Sequence, residues 1–348
     1  MYTHRAQLGF QIGIFALVTG SGVSLGQVDS ADLVDTAVLV DPIVSTAGGA
    51  ALPEVIAGPF QHGNSAYYLL EPANWDVSEQ AAQERFGAHL VTVGDAAENT
   101  FIRDGVLSFD GAPRNGWLGL TDADVEGEYV WVNGEPFGFE SWRPGEPNGG
   151  ATQNYAGMLG STSDWFDLEN DWTVQGVVYG VVEVEIPSVL AGPFYFNGHT
   201  YYLLDNSNRH QADAAARLLG GHLVTLDDAA ETSWVRTNVI EFDGVPRHAW
   251  LGLSDESYEG IYSWDNDSLS SYRAWISAEP NGGTNENYVA MFSNSSVWFD
   301  AAYNWGSGAH GVVEVATPNP CTVDMNNDGG LNFLDVSAFL QAFGIGCP

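Results

Sequence analysis

Trp117-Leu118-Gly119-Leu120 and Glu146-Pro147-Asn148-Gly149-Gly150 return as Trp250-Leu251-Gly252-Leu253 and Glu279-Pro280-Asn281-Gly282-Gly283, each displaced by 133 positions (117 to 250, 146 to 279). Upstream, Tyr67-Tyr68-Leu69-Leu70 returns as Tyr201-Tyr202-Leu203-Leu204, and Ala57-Gly58-Pro59-Phe60 as Ala191-Gly192-Pro193-Phe194, displaced by 134 (67 to 201). So constant an offset marks two copies of one domain. The period is far longer than the roughly 20–50 residues of a solenoid unit, so each copy is long enough to hold its own core.

Within a copy the patterning changes character. An aromatic strand leads to a helical stretch, Asp76–Phe86 in the first copy and Ala212–Leu219 in the second. Strand-like His89–Val93 follows, then a helix start at Asp95-Ala96-Ala97-Glu98, where Asp can cap free amides and Glu can reach back. Short aromatic strands and long Gly/Pro/Asn loops come next, and each copy ends in an apolar strand, Val177–Val184 or Val312–Val315. The expected class is α+β: two tandem domains plus a small helical tail.

This order of signals resembles the C-type lectin-like family over residues 57–186 and 191–316: W-L-G-L, E-P-N, N-Y, W-x-D and a closing V-V-E strand, all found twice. The family usually carries disulfides; here Tyr155 and Tyr288 stand where a cysteine is expected, and in this the chain is similar to bacterial relatives that dispense with them. The resemblance implies a calcium-dependent carbohydrate-binding protein that is not an enzyme. It implies that E-P-N, with a cis peptide before proline, presents Glu and Asn oxygens to Ca²⁺ together with a later Glu and an Asn-Asp pair, and that mannose- or glucose-type hydroxyls complete the shell. Carried over, the set is Glu279, Asn281, Glu286 and Asp300 in the second copy and Glu146, Asn148, Gln153 and Asp167 in the first. Oxygen-only ligands on a flexible loop suit a hard cation.

Two departures weigh on that set. The family's W-N-D is Trp165-Phe166-Asp167 and Trp298-Phe299-Asp300, so the Asn ligand is Phe in both copies, and the later Glu is Gln153 in the first. Asn170, Asp171 or Asn304 could replace a lost ligand, or E-P-N-G-G could be no more than a turn. Loss of calcium would leave a protein-binding or adhesion module on the same fold. The tryptophans at 117, 131, 165, 250, 264 and 298 could stack on sugars, although those beside W-L-G-L read as core. His89 and His222 each precede an apolar strand with no second ligand at metal spacing, and read as structural. No carboxylate pair is singled out for hydrolytic chemistry.

Beyond the repeats lies Asp324-Met325-Asn326-Asn327-Asp328-Gly329-Gly330-Leu331-Asn332-Phe333-Leu334-Asp335. Counted from Asp324, acceptors fall at 1, 3, 5, 9 and 12, with glycine at 6, an EF-hand-type calcium loop in which Asp324, Asn326, Asp328 and Asp335 are the metal ligands. Residues 319–348 resemble one half of a dockerin, which implies a cohesin-like or other extracellular protein partner, or membership of a polysaccharide-degrading assembly. Cys321 and Cys347, the only cysteines, bracket this loop and are expected to pair if the chain is exported.

Export is the expectation from residues 1–26: His4 and Arg5, apolar Leu8–Val18, then small residues at Ser24-Leu25-Gly26 read as a signal peptide, with an uncleaved anchor as the alternative. Residues 27–56 read as a linker. Ten basic residues, all Arg, against 45 acidic ones give a net charge of −35. Such a surface repels nucleic acid and anionic lipid and suits a saline medium that screens it.

Overall fold

Gly87 ends the first helix of the chain in the left-handed conformation (φ 57°), its amide turning back to the Ala82 and Gln83 carbonyls. A side chain there would meet the ring of Tyr303, which belongs to the other copy. The two copies pack into one compact unit. The computed structural model describes residues 51–171, 177–305 and 308–316. The expected leader, most of the linker and the cysteine-bracketed calcium loop lie outside the described residues.

The first copy runs β1 (Val55–His62), β2 (Ser65–Pro72), α1 (Trp75–Phe86), β3 (His89–Leu90), α2 (Ala96–Phe101), β4 (Asn115–Thr121), β5 (Val130–Trp131), β6 (Tyr155–Met158), β7 (Trp165–Leu168) and β8 (Val178–Glu185). The second repeats it as β9 (Val189–Phe196), β10 (His199–Ser207), α3 (Arg209–Leu218), β11 (His222–Leu223), α4 (Ala229–Val235), β12 (Ala249–Ser254), β13 (Ser263–Trp264), β14 (Tyr288–Met291), β15 (Trp298–Ala301) and β16 (Ala309–Ala316). The sheets have matching order, β1-β2-β8-β4-β6-β7 and β9-β10-β16-β12-β14-β15, with β3 and β5, or β11 and β13, attached at the side. Antiparallel pairing of β2 with β8 brings the start and end of the copy together, and β4 joins β8 in parallel. The fold is α+β in both copies.

Several local expectations shift. Helix α3 begins at Arg209 and not at Ala212, because Asn208 and Gln211 form a reciprocal capping box and Arg209, charged in sequence, is buried against Asp265 at 2.5 Å. The strand expected over His89–Val93 leaves its regular ladder after Leu90: the Val91 amide bonds Val181 while its carbonyl accepts from Gly119, so the chain bridges β8 and β4. Asp95 caps α2 by accepting from Ala97 and Glu98 at 2.8 and 2.9 Å, and Glu98 reaches back to the Gly94 amide at 2.8 Å, one residue before the cap. The helix then loosens into a π-helical segment, Ile102–Leu107.

Burial explains the tryptophans. Those at 117, 131, 165, 250, 264 and 298 are all at most 3% exposed, which removes them as sugar-stacking platforms and makes them core. Trp165 is crossed edge-on by Trp131, Phe139 and Trp142, and Trp298 by Trp264, Tyr272 and Trp275. Burying each such side chain contributes roughly 1.5–3 kcal/mol or more. Beside these separate cores, one cluster is shared: Tyr68, Ala81, Ala82 and Val182 of the first copy pack in it with Ala212, Ala215 and Val313 of the second.

His89 and His222 are structural, as their place before a strand suggests. His89 Nδ1 pairs with Glu79 at 2.5 Å, and His222 lies 2.9 Å from the Leu223 carbonyl and 3.2 Å from Asn266.

Candidate functional site

The Glu146-Pro147 and Glu279-Pro280 peptides are both cis, as expected for this loop. Each loop is then tied down by an aspartate from a neighbouring strand. Asp300, on β15, accepts from the amides of Asn281 (3.1 and 2.9 Å) and Gly282 (2.8 Å). Asp167, on β7, does the same for Asn148 (3.1 and 3.0 Å) and Gly149 (2.7 Å). Both aspartates are buried. With both carboxylate oxygens engaged by backbone amides, these aspartates anchor the loop as it stands.

The glutamates differ between copies. In the second, Glu279 lies against Asp300, and its Oε2 is buried with no hydrogen-bond donor. Burial, then the Asp300 carboxylate and the Glu286 charge, push the Glu279 carboxyl up to about 7. Asp300 is held below its ordinary range: burial opposes this, but the bond with Glu279 and the loop amides outweigh it. Glu286 is also raised, by burial and by Asp300. Three carboxylates thus sit close enough to repel one another, the condition a divalent cation relieves. Gly282 keeps Glu286 in place, since a Cβ there would collide with the Glu286 side chain.

In the first copy the repulsion is met internally. Glu146 accepts from Asn148 Nδ2 at 2.7 Å and from Arg143 at 3.3 Å. Burial and Asp167 still raise the Glu146 carboxyl, against the lowering pull of Arg143 and Asn148. Arg143 is matched by Ile276 in the second copy, and Gln153 by Glu286. The first site therefore holds two carboxylates and a guanidinium where the second holds three carboxylates. A cavity of about 370 Å³ opens here, lined by Arg143, Glu146, Asn148, Gln153, Phe166 and Asp167.

The substitute ligands fare unevenly. Asn170 is committed to the start of α1, where its side chain and carbonyl accept from the amides of Asp76 and Trp75. Asp171 and Asn304 are exposed. Phe299 packs against Phe292 at 4.3 Å and Trp305 at 5.0 Å and offers no oxygen. Among the described residues no three His, Cys, Asp or Glu side chains are drawn up as a ready-made metal cluster. The second-copy residues fit a cation by their uncompensated charge and the donorless Glu279 oxygen; the first-copy set fits it less well. Arg143 is the residue of this candidate site that motif reading missed, and its only signal was a lone Arg three positions before the Glu of E-P-N.

The Lectin C-type domain family matches residues 71–175 and 205–305, one span in each copy. The chain belongs to this family. It is 25% identical to human C-type mannose receptor 2 over 278 residues, covering 74% of this chain and 18% of the receptor. It is 35% identical over 111 residues to human C-type lectin domain family 17 member A, covering 32% of this chain and 27% of that protein. A similar solved structure is the cow C-type carbohydrate-recognition domain of CD23 in the presence of a GlcNAc2Man3 oligosaccharide: 28% identity, 35% of this chain, 88% of that one, TM-score 0.30. The chain thus spans under a third of the length of these two curated relatives. The matched family and its curated relatives are non-enzymatic binding proteins, in keeping with the reading of this chain as a binder and not an enzyme. C-type lectin domains generally bind calcium. No helix among the described residues is long and apolar enough to cross a membrane.

Proposed function

We propose that this chain is an exported, calcium-dependent carbohydrate-binding protein whose principal sugar site is the Glu279-Pro280-Asn281 loop of the second copy. The observation that carries the reading is the Glu279 carboxylate lying against Asp300 and within the influence of the Glu286 charge, with a buried Glu279 oxygen that no donor satisfies. When bound, Ca²⁺ would neutralise these carboxylates and offer open positions to a pair of sugar hydroxyls. Glu279, Asn281 and Glu286 would hold it, with Asp300 fixing the loop that presents them. Glu146, Asn148, Gln153 and Asp167 form the corresponding weaker set.

A second reading is favoured by Arg143: the first copy, carrying its own counter-cation, serves as a calcium-free surface for a protein partner. Glycan-array binding with and without chelator separates the two. A chelator-sensitive component of mannose- or glucose-type binding supports the lectin reading; glycan binding that chelation leaves wholly unchanged, or indifference to glycans in both conditions, overturns it.

The organisation proposed around this site is a signal peptide at 1–26, a linker at 27–56, lectin-type copies at 57–186 and 191–316, and an EF-hand-type segment at 319–348. Its calcium would be held by Asp324, Asn326, Asp328 and Asp335 inside a Cys321–Cys347 disulfide. The partner of that segment would be an extracellular protein of cohesin-like or other type. Mass analysis of exported protein should find the chain starting near Gln27 and gaining two mass units on reduction, as about two hydrogens add per disulfide. An intact Met1 would remove the export argument.

A further inference from the structure

Ten arginines are the only formal cations in a chain with 45 carboxylates, and three of them, Arg85, Arg209 and Arg217, line one cleft between the two copies. The cleft measures about 590 Å³, inside the range of about 300–1,000 Å³ typical of small-molecule pockets. Asp213, Glu256 and Asp265 line it too, so its formal charge is balanced. Tyr68 and Phe86 come to it from the first copy, Tyr288 from the second.

The polar groups on α3 are only partly satisfied. Arg209 is 3% exposed, pairs with Asp265 at 2.5 Å and lies over the Tyr288 ring at 5.4 Å, yet its Nε–H has no acceptor. Asp213 gives one oxygen to Arg217 at 2.7 Å and stands 3.9 Å from Arg209, leaving Oδ1 buried without a donor. His210 packs edgewise on Tyr288 and tilted on Tyr303, and its Nε2 is buried and unpartnered. Burial, then the charge of Arg209, hold its pKa down at about 4, so the ring is neutral at ordinary pH.

The first copy has no counterpart. Trp75 stands where Arg209 does, packs tilted against Tyr155 at 4.6 Å and donates its indole N–H to the Leu118 carbonyl at 2.8 Å. An arrangement peculiar to one copy is not demanded by the fold, and leaving buried polar atoms unmade carries a desolvation cost.

A free donor on Arg209, a free acceptor on Asp213 and an imidazole nitrogen that can serve as either match hydroxyl groups, each of which both donates and accepts. Balanced charge disfavours an ion. Of the bordering rings only Phe86 is half-buried at the cleft and can meet the apolar face of a sugar ring; Tyr68 and Tyr288 belong to the core beneath it. We propose that this cleft is a calcium-independent site for a neutral polyhydroxyl ligand of monosaccharide size, separate from both Glu-Pro-Asn loops, with which it shares no residue.

The test uses the full chain in EDTA, which silences the calcium loops. Methyl glycosides of mannose, galactose and N-acetylglucosamine serve as probes and sulfate as the anionic control, read by saturation-transfer NMR and calorimetry. Two variants accompany the parent: His210→Phe keeps the ring packing and removes the nitrogen, and Ser257→Trp fills the cleft from its exposed rim. At least one glycoside should bind the parent in EDTA, and both variants should weaken it about tenfold with an unchanged unfolding midpoint, the scale of one lost hydrogen bond. No glycoside binding in EDTA, binding undiminished in the variants, or binding of sulfate alone would each overturn the proposal.

Discussion

Arg143 reaches Glu146 at 3.3 Å, so the first copy holds a guanidinium against the carboxylate that the family's motif would offer to calcium. The ion pair is half-exposed on its Arg side, and its stabilising effect is correspondingly small. Its electrostatic effect on an incoming cation is larger, because like charges a few Å apart repel by about 1 kcal/mol per unit charge even in water.

Arg143→Ile should therefore raise the calcium affinity of the first copy by about tenfold, measured by calorimetry on the full chain carrying Glu279→Gln to silence the second site. An unchanged affinity would mean that Gln153, and not Arg143, limits that site.

Trp165 donates its buried indole N–H to Asn99 at 2.8 Å. In the second copy Thr232 occupies the Asn99 position, bonds the Asp228 carbonyl at 2.7 Å, and leaves the Trp298 N–H buried without an acceptor. Asn99→Thr should destabilise the protein by about 1–3 kcal/mol, the cost of an unmade buried bond. Urea unfolding with unchanged slope and a lowered midpoint is the expected result.

Glu183, on β8, is pushed up to about 7 by burial and by the neighbouring Glu98 charge, while the Tyr67 hydroxyl donates to Glu98 at 2.6 Å and lies 3.3 Å from Glu183. A carboxyl whose folded pKa exceeds its unfolded value of 4.5 binds its proton more tightly in the native state. Its contribution is thus complete below about 4.5 and is lost as pH rises to about 7. Stability of the parent should fall across that window relative to Glu183→Gln, by up to about 3 kcal/mol. Parallel curves for the two proteins would show that Glu183 titrates normally.

What could be read in the sequence and what could not divides along physical lines. The offset of 133, the Asp95 cap and the cis Glu-Pro loops are local or repeated signals, and each has its counterpart in the structure. The contact between Asn99 and Trp165 spans 66 residues and breaks symmetry in the second copy, so neither periodicity nor motif announces it. Arg209 reads as a surface charge until Asp265, 56 residues on, is folded against it. The shared core depends on Ala212 and Ala215, small residues that pattern reading credits to the helix's own copy, yet they cluster with Tyr68 and Val182 of the first. At the candidate site, E-P-N marks a loop whose Glu-Pro peptide is cis, but the commitment of the Asp167 and Asp300 oxygens to loop amides is a tertiary fact.

Because the copies share that core, the decisive comparison belongs on the intact chain. Calcium calorimetry of the parent, Glu279→Gln and Glu146→Gln, each repeated with a mannose-type glycoside retained on a column, tests whether the second copy is the calcium and sugar site. Any calcium held by residues 324–335 is common to all three proteins and cancels. Glu279→Gln should abolish one calcium-binding event and the calcium-dependent sugar retention, while Glu146→Gln leaves both within about twofold of the parent. Loss of sugar retention in Glu146→Gln, or full retention in Glu279→Gln, would contradict the assignment.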